Sequence, residues 1–81
     1  MWMSNIYIMI NQHNFDRNDL GELCAAVSDT GATIAAVDEH NLMIEAITPA
    51  EIVPIIAAME GVSYVRCVFS YFANQPPLQV A

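Results

Sequence analysis

At 81 residues the chain lies near the lower limit at which a hydrophobic core holds a domain together without disulfide or metal staples. Nine acidic residues stand against two arginines and no lysine, a formal charge of −7; this excludes nucleic acid as a partner and disfavours an anionic membrane surface, since both rely on Lys and Arg clusters. Hydrophobic residues make up 56% and charged residues only 14%. The surface must therefore carry more apolar area than a soluble domain with the usual ~45–50%. Self-association or a protein partner is the expectation before any motif is read.

Residues 1–5 lack the basic stretch and cleavage site of a secretory signal. No apolar run approaches the ~18 residues needed to span a bilayer. A cytoplasmic location is the default expectation. The first strand is expected over 5–11, NIYIMIN, with Ile6, Ile8 and Ile10 alternating against Tyr7 and Met9. A polar loop at 12–14 leads to a helix capped by Asp16 and running to about Asp29. Its apolar face is Leu20, Leu23, Cys24 and Val27, with Asp19 and Glu22 near the positive end of the helix dipole. Gly21 inside it costs roughly 1 kcal/mol relative to alanine, which suggests a strand passing close by.

The 29–31 segment, Asp-Thr-Gly, ends this helix, and a second strand follows over 32–37, ATIAAV. A charged turn at 38–41 makes a hairpin with a third strand over 42–47, whose faces are Leu42, Ile44, Ala46 and Met43, Glu45, Ile47. Thr48 then reads as the N-cap of a second helix, with Pro49 at its first position and Glu51 completing a capping box. Ile52, Ile55, Ile56 and Met59 form one apolar face, Pro54 disturbing only the first turn. Gly61 falls where a left-handed residue stops a helix. Alternation through Phe72 sets Val65, Cys67, Phe69 and Tyr71 on the core side and Tyr64, Arg66 and Ser70 on the other. The tail at 73–81, with Pro76 and Pro77, is expected to be extended or disordered.

The order β-α-β-β-α-β is the ferredoxin-like α+β arrangement: an antiparallel four-stranded sheet with both helices on one face, in one domain over 1–72. The helix-free face then shows Tyr7, Met9, Met43, Glu45, Ile47, Tyr64, Arg66, Val68 and Phe72, joined by Val37. That is too apolar for a face left to water, and its aromatic, Met and Arg content is typical of interfaces. A homo-oligomer or a protein partner is expected there, with Glu45 and Arg66 paired either within the sheet or across the contact.

Catalytic and metal chemistry find little support. His13 and His40 lie in separate loops, and Cys24 and Cys67 read as buried reduced thiols on core faces; a disulfide between them depends on packing that the sequence does not give. Asp38, Glu39 and His40 read as a solvated hairpin tip, and Ser28, Ser63 and Ser70 lack a nucleophile context. The Cys-x-x-Cys of metal-carrying versions of this fold is missing after the first strand. So is the basic, aromatic signature of RNA-binding versions. No enzyme and no cofactor are expected.

The stretch 41–68, NLMIEAITPAEIVPIIAAMEGVSYVRCV, resembles the subtilisin-propeptide-like inhibitor family. A Thr-initiated helix there leads to a Met/Pro-Gly-Val-x-x-Val junction, here Met59, Glu60, Gly61, Val62, Ser63, Tyr64 and Val65. The resemblance implies a sheet face pressed on a protease and a C-terminal tail along its cleft, inhibiting the protease or helping it fold. ACT-like ligand-binding domains share such a junction and bind amino acids near a glycine after the first strand; residues 11–16 lack that glycine. A small-ligand regulatory domain is the alternative.

Overall fold

A computed structural model describes residues 1–13, 16 and 19–73. The expected tail falls at 73–81, and all of it but Ala73 lies outside the described residues. The elements are β1 (Trp2–Ile10), α1 (Leu20–Asp29), β2 (Thr33–Asp38), β3 (Met43–Pro49), a 3-10 turn (Ala50–Ile52), α2 (Val53–Ala57) and β4 (Val62–Phe72). The four strands form one antiparallel sheet in the order β2-β3-β1-β4. This is the α+β ferredoxin-like arrangement expected from the element order.

β1 lies at the centre because its isoleucines fill the core. Ile6, Ile8 and Ile10 are buried together with Ile44 and Ala46 of β3, Leu20, Leu23 and Val27 of α1, and Ile56 of α2. The side of β1 carrying its even-numbered residues is thus the helix-covered side. Ser4 continues that row; its hydroxyl is buried and lies 2.8 Å from the Ser70 hydroxyl. No helix of the described residues is long and apolar enough to cross a membrane.

Both helices start later than their cap signals suggest. α1 begins at Leu20 with Asp19 at its N-cap, and Asp16 lies upstream, its carbonyl accepting from the Asp19 N–H at 2.8 Å. Thr48 does not cap α2. It pairs with Ser4 as the penultimate residue of β3, fully buried, and its hydroxyl donates to the Pro49 carbonyl at 3.3 Å. Pro49 takes the N-cap place, so the capping box with Glu51 does not form. Pro54 in the first turn of α2 has no N–H to give, and a 3-10 turn precedes it. The tighter winding shifts the phase of the apolar stripe. Ile52, Val53, Ile56 and Met59 face the core, whereas Ile55 is exposed. Gly61 is left-handed at φ +91° but does not stop the helix: α2 ends earlier, at Ala57, with a right-handed C-cap at Ala58, and Gly61 lies in the turn before β4, its carbonyl accepting from the Asn11 N–H at 2.8 Å.

Gly21 has no strand beside it. A Cβ built there meets nothing within 4 Å. Gly21→Ala is therefore expected to stabilise the fold by about 0.5–1 kcal/mol through the less flexible unfolded chain. Thermal denaturation should show a midpoint several degrees higher; an unchanged or lower midpoint would contradict the open space around this position.

The hairpin between β2 and β3 turns at 39–42, with Leu42 left-handed at φ +51°. Asp38 closes it: its carboxylate accepts from the Asn41 backbone N–H at 3.1 Å and the Asn41 side-chain amide at 2.8 Å. The side-chain hydrogen bond from Asn41, followed by the backbone one, holds the Asp38 carboxyl below its ordinary value of 3.8. A lowered folded pKa contributes stability that is present above the unfolded value and lost as pH falls through the folded one. The stability gap between wild type and Asp38→Ala should accordingly be open at neutral pH and close in acid. Urea midpoints at the two extremes check this, and a gap independent of pH would sink it.

Candidate functional site

The helix-free face is built from the odd-numbered side of β1 and its neighbours on either hand. Across β3, β1 and β4 the side chains fall into rows set by the strand register. Met43, Met9 and Tyr64 form one row, and Glu45, Tyr7 and Arg66 the next. Beyond these lie Ile47, Asn5 and Phe69, then Pro49, Met3 and Tyr71. Tyr64 and Phe69 remain more than half exposed, at 56% and 53%. Phe69 and Tyr71 lie ring to ring at 5.9 Å. On these three strands the result is an apolar surface with a single carboxylate and a single guanidinium; Asp38 of β2, level with Met43, adds a second carboxylate at its margin. Glu45 and Arg66 are separated by the whole of β1, about 10 Å at two strand spacings, with Tyr7 between them. They form no ion pair within the sheet.

Simple alternation along β4 misplaces its second half. Nine residues of β1, Trp2 to Ile10, pair with eleven of β4, Phe72 back to Val62, so two residues of β4 must be left over. The register shifts fall between Asn5 and Ile6, where Val68 is skipped, and between Met9 and Ile10, where Ser63 is skipped. The Val68 bulge inverts everything after it. Phe69 and Tyr71, expected in the core, come to the open face. Ser70 and Phe72, expected on the open face, go to the helix side, where Phe72 meets Trp2 edge to face at 5.5 Å. Val68 itself is the unpaired bulge residue and 47% exposed. A third irregularity, at Ala35, sets Val37 opposite the core residue Ile44 rather than on the open face.

Of the side chains expected at the site, the structure brings together Tyr7, Met9, Met43, Glu45, Tyr64 and Arg66, with Ile47 alongside. Phe72 and Val37 are on the other side. Phe69, Tyr71 and Met3 are the members that sequence reasoning missed. No pattern within β4 itself signals the skips, which are set by its pairing with β1.

Cys67 lies opposite Ile6 on the helix side, yet it is exposed rather than buried. α2 has five residues, about 8 Å of helix, against roughly 36 Å of β4, and it covers only the Val62 and Val65 end. The Cys67 thiol contacts the Ser70 hydroxyl at 3.5 Å. Cys24, half-buried on α1, is also a free thiol, and burial pushes its pKa up. Among the described residues no three His, Cys, Asp or Glu side chains converge as metal ligands. His13 and His40 are both exposed, the His13 backbone N–H donating to the Asn11 side chain at 2.9 Å.

One concavity competes with the face. A cleft of about 600 Å³ lies between α1 and the turn before β4, lined by Asn11, Asp19, Glu22, Leu23, Ala26, Met59, Glu60 and Gly61. Its size suits a small molecule. Three carboxylates in its wall would favour a cationic or amine-bearing one. No family model, no curated protein and no solved structure matches the chain.

Proposed function

We propose that this chain is a non-catalytic protein-interaction domain that works through the open face of its sheet. The observation that carries the reading is the exposed aromatic and methionine surface of β3, β1 and β4, with no helix over it. Burying such a surface against another chain removes apolar area from water at about 25 cal/mol per Å², the dominant gain in association. The resemblance to subtilisin propeptides makes a subtilisin-type protease the first hetero-partner to assay. The test pairs the intact chain with Tyr64→Glu and Met43→Glu in sedimentation at micromolar concentrations and in protease-inhibition assays. Association or inhibition that both variants weaken supports the reading. A strict monomer that inhibits no such protease removes it.

The acidic cleft beside α1 favours a second reading, a small-ligand regulatory domain. Under it, an amine or amino acid raises the melting temperature by binding the folded state. An unchanged midpoint across an amino-acid screen removes this alternative.

A further inference from the structure

The open face carries its own complement. β3 presents aliphatic side chains and β4 aromatic ones, at matching heights on either side of β1. Met43 is level with Tyr64, Ile47 with Phe69, and Pro49 with Tyr71. The two charges obey the same symmetry, Glu45 on β3 and Arg66 on β4, with Tyr7 midway.

We propose that the occupant of this face is a second copy of the chain, packed sheet to sheet about a two-fold axis that runs parallel to β1. This rests on the interaction-face reading above and deepens it by naming the partner and its orientation. Rotation about such an axis lays β3 of one protomer over β4 of the other while keeping the rows in step. Each Glu45 then faces the partner's Arg66, each smaller aliphatic residue faces a ring, and Tyr7 meets the partner's Tyr7 on the axis. A two-fold laid across the strands at the same row would instead set Arg66 against the partner's Arg66 and Glu45 against the partner's Glu45. Like charges so placed are penalised, which selects the first orientation.

Pairing through the β4 edge is the competing route to a dimer. Two bulges in β4 twist that edge and interrupt its ladder, a common way in which sheets discourage edge-to-edge addition. The face is the better surface. Its overlap, three strands wide and seven residues of β1 long, is about 14 Å by 23 Å, small for a standard interface. With −7 charges on each copy opposing approach, a micromolar dimer that tightens with salt is the expectation.

The test is a charge-swap cycle read by sedimentation equilibrium from about 1 to 500 µM, with circular dichroism to establish that each variant is folded. Arg66→Glu and Glu45→Arg should each weaken the dimer about tenfold or more, and the double variant, Glu45→Arg with Arg66→Glu, should recover it because the swapped charges again face opposite partners. A dimer that Tyr64→Glu breaks but that neither single charge reversal weakens, or that the double variant fails to recover, overturns the two-fold along β1 and leaves the interaction face standing. A dimer indifferent to Tyr64→Glu and to both charge reversals overturns the face as well. A chain monomeric throughout the range overturns the second copy as occupant, and the protease assay then decides the broader reading on its own.

Discussion

Ile8→Ala is expected to leave the chain largely unfolded. Ile8 has no exposed surface and sits at the crossing point of the sheet, opposite Ile44 on β3 and Val65 on β4. Truncating a buried isoleucine to alanine costs about 2–5 kcal/mol, from lost transfer energy and the cavity left behind. A chain of this size has only about 3–5 kcal/mol of net core stability to lose. The single change is therefore comparable with the whole. Ile8→Val removes one methylene group, costs about 0.5–1.5 kcal/mol and should stay folded. Far-UV circular dichroism with urea titration separates the two; an Ile8→Ala chain with a midpoint close to wild type would show that β1 is not the centre of the core.

The second large effect separates two phenylalanines three positions apart. Phe69→Glu should weaken any association through the open face by about 30-fold or more, the loss typical of a central aromatic anchor. Phe72→Glu should leave that association unchanged, because the bulge at Val68 turns Phe72 to the helix side. Its cost is in stability instead, about 0.5–1.5 kcal/mol from the edge-to-face contact with Trp2, on top of lost apolar burial. Sedimentation gives the first quantity and urea denaturation the second. The reverse outcome, association lost with Phe72→Glu and kept with Phe69→Glu, would mean that β4 alternates without interruption.

The free cysteines bear on handling as well as on fold. Cys67 is exposed and Cys24 only half-buried, so oxidative dimers joined through Cys67 would mimic the association under test. Reducing conditions keep the two apart.

The architecture was legible in local patterns along the chain. The period-two isoleucines of β1, the 3.6-residue stripe of Leu20, Leu23 and Val27, the turn at 38–41 and the left-handed turn glycine Gly61 ahead of β4 are each local signals. Together they specify βαββαβ, because backbone geometry and apolar periodicity act within a few residues of one another. The same alternation placed Tyr7, Met9, Met43, Glu45, Tyr64 and Arg66 on one face. The remaining placements depend on how one strand registers against another and on how far each helix reaches. Thr48 carried a good capping signal and became a strand residue because Ser4 lies beside it in the sheet. Cys67 and Ile55 had core periodicity and are exposed, since α2 is too short to cover the one and the 3-10 turn rotates the other away. Phe69 and Tyr71 reach the open face, and Phe72 leaves it, through one unpaired residue at Val68. A strand's side-chain period is two, so a single skipped residue exchanges the faces of all that follows, and the skip is set by the partner strand rather than by the residues that move.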